Sequence, residues 1–232
     1  MSNINQFGQP IGFPLDDWTP CPPPSRVPMT GTYCTVEPLS VTKHRADLAN
    51  VFVHNSMDSD WTYLPYGPYK KKVPYSAWLA SIEPSEDPLF HAIIDNDTHE
   101  AVGIASYLRI EPAVGVIEVG HIHFSLRLQK TPAATEAMFL MMRRVFDDLG
   151  YRRYEWKCDA LNAPSRAAAQ RLGFTFEGIF RQATMYKGRN RDTAWFSILD
   201  SEWPQLKNRF EQWLSADNFD TDGYQKVRLQ DL

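Results

Sequence analysis

The spacing of hydrophobic positions along the 232-residue chain changes several times, and each change marks an element. Val116 to Leu126 reads as a strand, and Arg127 to Thr131 turns. From Pro132 to Leu149 the residues Ala134, Ala137, Met138, Met141, Val145 and Leu149 then recur at three- and four-residue steps, with Phe139, Met142 and Phe146 on a second stripe. Two stripes predict a helix covered on much of its girth. Pro132 stands where the first helical residue belongs, because its missing N–H would be unpaired there and its fixed φ suits a first turn. Gly150 closes the helix. Tyr154, Trp156 and Cys158 then alternate with Arg153, Glu155 and Lys157, the pattern of a strand with one buried face. Two strands joined by so long a helix form a crossover unit and are expected to be parallel neighbours.

Before this unit, Thr32 to Pro38 predicts a first strand. Thr42 to Asn55 predicts a helix, with Leu48, Val51 and Phe52 at helical spacing and Thr42 as a candidate N-cap. Pro74 to Ile82 reads as a short helix. Leu89 to Ile94, Ala101 to Ile110 and Gly115 to Leu126, joined by short polar turns, predict an antiparallel meander. After the unit, Asn162 to Leu172 is expected as a helix capped by Asn162, with Pro164 in its first turn and Gly173 at its close. Phe174 to Tyr186 and Arg191 to Leu199 flank the turn KGRN as a long hairpin, and Trp203 to Leu214 reads as a terminal amphipathic helix. The sum is a mixed α/β domain over 29–214, with about seven strands and helices on both faces.

Three stretches lack a period. Trp61 to Tyr69, WTYLPYGPY, packs four aromatics and two prolines into nine residues; it is too apolar to float and too irregular for a helix or strand. It predicts either the wall or lid of a pocket, through Trp61, Tyr63 and Tyr66, or a loop pinned to the core. Residues 1–28 form a proline-rich arm, either packed through Phe7, Phe13, Leu15 and Trp18 or loose. Residues 215–232 form a polar tail, expected to be mobile or used in self-association, for instance in a homodimer.

The net charge of −4 and pI near 5.9 recommend no nucleic-acid surface. Cys21, Cys34 and Cys158 lack CxxC or zinc spacing and suit a reducing compartment. No apolar run approaches the roughly 18 residues of a membrane span, and MSNINQFGQP lacks a signal-peptide core. The expectation is a soluble cytoplasmic protein without nucleic-acid or membrane partners.

The chemistry begins at Pro132. Amides at a helix start, with the positive end of the macrodipole behind them and Arg127 and Lys130 beside them, make a socket for an anion such as phosphate. With EVGHIHF in the strand, ATEA at the helix start and NAPSRAAAQRLGFTFEGIFR over Asn162 to Arg181, the chain resembles the GNAT acyltransferase superfamily, within it the RimJ/RimL-type N-acetyltransferases. The match spans Thr30 to Pro204. The resemblance implies transfer of an acetyl group from acetyl-CoA to a primary amine, on a protein N-terminus or a small molecule, in a ternary complex without a metal. It implies that acetyl-CoA lies where two central parallel strands splay apart. Backbone groups of Phe124 and Leu126 would meet its pantetheine, and the loop Gln129, Lys130, Thr131, Ala133 and Ala134 its pyrophosphate. That loop departs from the family's Arg/Gln–Gly–x–Gly–x–Ala, since Lys130 and Pro132 replace both glycines. Pro132 preorganises the helix start, and Lys130 adds a charge-assisted contact.

Amine acetylation needs a base for the ammonium proton and an acid for the departing thiolate. Glu118 is the first candidate base, directly or through water; its alternative is a structural carboxylate. His121 is the second, on the opposite face by strand alternation unless a bulge intervenes. The resemblance places the Ser165 hydroxyl near the thioester sulfur as the acid, with Tyr186 as runner-up; Ser165 could instead only satisfy a helix amide. Asn162 is a cofactor or cap residue, and Cys158 a buried thiol beside the site. Asp159 joins the substrate side, where the aromatic loop with Glu118, Asp159 and Asp192 suggests room for a cation. His121, His123, Cys158 and Asp159 lack diagnostic metal spacing, so no metal is expected. The alternative of another class is a non-catalytic acetyl-CoA-binding sensor or regulatory subunit; a third reading is a loop that no longer binds the carrier.

Overall fold

In the computed structural model, which describes residues 3–232, the meander and the crossover unit join in one sheet. Met1 and Ser2, the start of the expected arm, lie outside the described residues. In chain order the strands are β1 (Asn3–Ile4), β2 (Pro10–Ile11), β3 (Met29–Thr30), β4 (Cys34–Pro38), β5 (Leu89–Asp95), β6 (Ala101–Glu111), β7 (Val116–Phe124), β8 (Arg153–Asp159), β9 (Thr175–Tyr186) and β10 (Arg189–Leu199). The first two form a separate hairpin, and the rest lie in the order β3-β4-β5-β6-β7-β8-β10-β9. Only β7 and β8 run parallel, as the crossover requires. The sheet has one strand more than expected because β3, two residues long, is too short to show a period of two.

The helices are α1 (Val41–Ala49), α2 (Lys72–Ile82), α3 (Pro132–Arg143), α4 (Ala163–Arg171) and α5 (Trp203–Leu214). Among the described residues no helix is long and apolar enough to cross a membrane. Both apolar stripes of α3 are used, for Ala137 to Met142 are all buried. Thr131 caps α3 by accepting the Ala134 amide, and Asn162 caps α4 by accepting the Ser165 amide at 3.1 Å. At α1 the N-cap is Ser40, not Thr42, which falls in the first turn and whose hydroxyl pairs with that of Ser40 at 3.0 Å.

Two cores flank the sheet. On one face Ile117, Val119, Tyr154, Trp156 and Cys158 pack with α3 and α5; on the other, Phe90 and Ile104 pack with Leu48, Phe52, Trp61, Tyr75 and Leu79 around α1 and α2. The polar tail is docked: Leu229 is buried, Phe219 meets Trp213 edge-on, and the Asn218 side chain bonds the Trp213 and Val227 carbonyls. Its few apolar residues fall at irregular spacing and carry no period.

One buried charge fixes α3 to the sheet. Glu136, 4% exposed, accepts the amides of Thr32 at 2.7 Å, Tyr33 at 2.6 Å and Cys34 at 2.8 Å. Gly31 leaves the room, since a Cβ there would collide with the carboxyl. Glutamine would present an N–H to amides that need an acceptor, so Glu136→Gln should cost about 3 kcal/mol. For a chain of this length that is a fall in Tm of roughly 6–12 °C, and a melt that moves by under a degree would refute the anchor.

Candidate active site

The pairing of β7 with β8 runs from Val116 opposite Arg153 to Val119 opposite Trp156 and stops there. Beyond it, β7 keeps its partner β6 and β8 keeps β10, so the two central strands part. The splay implied by the resemblance is therefore present, and side chains from the ends of both strands surround it.

The loop into α3 explains how glycines can be absent. Lys130 has φ +63°, the left-handed conformation a glycine adopts freely, so the backbone shape survives at a cost of about 1 kcal/mol. Of the loop amides, Gln129 is bonded to the Ser125 carbonyl, Thr131 to that of Leu128 and Ala134 to the Thr131 hydroxyl. Among the described residues, those of Lys130 and Ala133 have no protein acceptor. The socket is thus narrower than expected, two amides and the Lys130 ammonium. The Phe124 carbonyl accepts the Gln129 side-chain amide at 2.8 Å and keeps a second lone pair. Leu126 is 60% exposed in the loop after β7.

A bulge decides the other half of the site. Ile104 and Ser106 of β6 oppose His123 and Gly120 of β7, so three steps of β7 match two of β6, and His121 takes φ +51°. Alternation is broken, and His121 comes to the same face as Glu118, contrary to the simple strand reading. There its ring stacks on Tyr66 and tilts against Phe90, with Nδ1 3.2 Å from the Tyr66 hydroxyl. Burial first, then the charges of Arg109 and Arg191, hold the imidazole down to about 4, so it is neutral at pH 7. His123, one residue past the bulge, stacks on Phe52 and meets Trp61.

Glu118 is buried and not free. Its Oε2 accepts from Arg109 at 2.7 Å and from Lys157 at 3.0 Å. Lys157 also bonds Glu155 at 2.6 Å and lies 3.7 Å over the Trp195 ring; Glu155 continues to Arg153 and Arg153 to Glu177. Alternating charges thus cross the sheet from β6 to β9. Burial pushes the Glu118 carboxyl up against the pull of both cations. This is the geometry of a fixed structural charge.

On the face of β8 toward α4, the Ser165 hydroxyl accepts from the Trp156 indole at 3.0 Å, leaving its own proton to give. Cys158 lies beside it with a thiol that burial pushes up. The Tyr186 hydroxyl donates to Asp159 at 2.8 Å, and burial with that carboxylate pushes it up to about 12. Asn162 is engaged as the α4 cap.

The aromatic loop is both pinned and placed at the site. Trp61 is 1% exposed and belongs to the core, so it is no pocket wall. Tyr63 bonds the Leu161 carbonyl at 3.1 Å, while Lys187 of the β9–β10 turn and Arg189 at the start of β10 grip the Trp61 and Thr62 carbonyls, each at 2.7 Å. The carboxylates expected to welcome a cation are committed: Asp159 also accepts the Leu161 amide, and Asp192 accepts the Gln182 amide and the Asn190 side chain. Among the described residues no three His, Cys, Asp or Glu side chains group as metal ligands. Arg109, Lys157 and Arg191 carry no sequence signal of a site; Lys157 reads only as part of the polar half of an alternating strand.

Comparison with known proteins gives the arrangement its family. The family model of the acetyltransferase (GNAT) domain matches residues 39–175. A GCN5-related N-acetyltransferase from Brucella melitensis is 48% identical, with a TM-score of 0.89 over 93% of this chain and 98% of that one. A probable acetyltransferase of the GNAT family from Chromobacterium violaceum is 40% identical, with a TM-score of 0.78 over 84% of this chain and 98% of the other. The uncharacterised N-acetyltransferase p20 of Bacillus licheniformis is 30% identical over 112 residues, which are 48% of this chain and 62% of that protein. With the parted parallel strands, the loop into α3 and matches of this extent, the chain belongs to the GNAT acetyltransferase family, enzymes that take their acetyl group from acetyl-CoA.

Proposed function

We propose that the protein acetylates a primary amine, of a small molecule or a protein N-terminus, by direct attack on acetyl-CoA in a ternary complex. The observation that carries this reading is the parting of β7 and β8 with a neutral imidazole on one side and two hydroxyls on the other. His121 is the base: uncharged at neutral pH, it can take the proton that the attacking amine nitrogen sheds as its bond to the acetyl carbon forms, a role for which Glu118, held between two cations, is poorly placed. Ser165 is the acid for the thiolate, because its hydroxyl accepts from Trp156 and its proton is uncommitted to that bond; Tyr186, whose proton is given to Asp159, stands second. Lys130 and Ala133, with the Phe124 carbonyl, would hold the carrier, and Tyr63, Tyr66 and Asp159 would border the acceptor.

The test is free-thiol release from acetyl-CoA against a library of small amines and peptide N-termini. Turnover with at least one class supports the reading; saturable acetyl-CoA binding without turnover on any amine would make the protein a sensor. The loop offers a second check. Lys130→Gly should relieve up to about 1 kcal/mol of strain while weakening acetyl-CoA binding roughly 3- to 10-fold through the lost ammonium. Lys130→Ala should show the weaker binding without the gain. Calorimetric binding and thermal melts separate the two effects.

A further inference from the structure

Among the described residues, Arg191 is the one site arginine with a buried polar atom left idle. It lies opposite Thr184 in the β9–β10 hairpin, one residue before Asp192, whose carbonyl takes the Ala160 amide at 2.8 Å just past the end of β8. The guanidinium is therefore at the open end of the parted strands. Its Cζ lies 5.9 Å from the Tyr186 ring centroid, and its charge is felt at His121 on one side and at Cys158 on the other. Its Nε is buried without a partner, and among the described residues it makes no ion pair or side-chain hydrogen bond.

The neighbouring groups are spoken for. Arg109 is on Glu118, Arg153 on Glu155 and Glu177, Arg166 on the Ala160 carbonyl and Arg189 on that of Thr62. Asp192, the next residue, and Asp159, opposite Thr193 across the sheet, are engaged as described. The open end of the site thus presents a positive charge with a planar fork of donors and no internal anion to meet it. A buried N–H without an acceptor is unfavourable, and a guanidinium is shaped for two-point contact with a carboxylate or phosphate.

We infer that Arg191 receives an anionic group on the acceptor, so that the amine acetylated here carries a carboxylate or a phosphate near its nitrogen. This rests on the acetyl-transfer reading above and narrows it toward small anionic amines, because an ordinary peptide N-terminus has no such group fixed beside it. It also replaces the cation pocket expected from the sequence with its opposite.

The experiment compares matched acceptors at saturating acetyl-CoA: the standard L-amino acids against their carboxamides, and O-phosphoethanolamine against ethanolamine. One member of a pair should exceed its neutral partner in kcat/KM by roughly 10- to 100-fold, the size of a charge-assisted contact. The pair that shows it tells carboxylate from phosphate. In Arg191→Gln the ratio should collapse toward one through the KM of the anionic acceptor, and Arg191→Lys should restore part of it. Equal rates for charged and neutral partners in the unaltered protein would overturn the inference whether or not the variants fold, as would a preference that survives Arg191→Gln. Calorimetric binding of the same pairs to the CoA-loaded protein is measured alongside. An anionic preference in binding, lost in Arg191→Gln but without turnover, would sink the transfer reading and leave this one standing; no binding of any anionic amine would sink this one.

Discussion

Unfolding stability should fall steeply as the pH is lowered from 7 toward 4.5, by roughly 4 kcal/mol per pH unit where the effect is full. The main cause is three histidines kept neutral by burial; His44, also held down by burial but drawn back by Glu37, adds a smaller part of the same sign. His91 and His121 are held down to about 4 and His123 to about 3, in each case chiefly by desolvation. Neither His91 nor His123 finds a partner for Nδ1 among the described residues, so a proton there would have no acceptor. The unfolded chain binds these protons below about pH 6.5 and the folded chain does not until near pH 4, so the stability present above 6.5 is lost between those limits. Glu118, whose carboxyl burial pushes up, takes its proton first in the folded state and offsets part of the loss. Urea unfolding at pH 7.5, 6.5 and 5.5 with a constant m-value measures this. His123→Phe, which keeps an aromatic ring against Phe52 and Trp61, should reduce the slope by about a third. A flat profile would mean that these imidazoles are hydrated.

The histidines also show where the sequence was readable and where it was not. The helix from Pro132 could be read almost to its bounds, α3 being continued by a π-helical turn over Arg144–Asp148, because Pro132, Thr131 and two apolar stripes are local signals, and the parallel pair β7–β8 followed from that crossover. The face of His121 could not be read, because the bulge that turns it is a mismatch with β6, a strand whose register is invisible in β7 alone. The same applies to the charge ladder: Arg153, Glu155 and Lys157 alternate as any solvated strand face would, and only the neighbours Glu118 and Trp195 bury Lys157. Trp61 misled for the reverse reason. Its prolines and aromatics announce a loop, but whether a given ring points to the core or the site depends on α1 and His123. In the sequence Arg191 is only the first residue of a strand after the turn KGRN; the register of β10 is what carries it past the end of β8. Periodicity thus specified elements and their order, while the chemistry of the site came from contacts between strands distant in sequence.

Replacing His121 by asparagine should lower kcat roughly 100- to 1,000-fold while the protein stays folded at pH 7. A weak base suffices here because the acceptor attacks as the free amine and its nitrogen becomes strongly acidic as the new bond to carbon forms, so that proton leaves when little affinity is needed to take it. With the imidazole free of its proton down to about pH 4, the base adds no limb above roughly pH 5.5, and kcat of the unaltered enzyme should rise with pH only as the bound acceptor loses its ammonium proton to solvent. His121→Asn should keep that limb and lie below it by the same factor at every pH from roughly 6 to 8, with the affinity for acetyl-CoA unchanged. Glu118→Gln is the contrasting case. It leaves Arg109 and Lys157 without their shared carboxylate, so it should lower the melting temperature and retain most of kcat. If Glu118→Gln, and not His121→Asn, lowered kcat by that factor at every pH, the base would be the carboxylate, and the bulge at His121 would serve only to seat its ring between Tyr66 and Phe90.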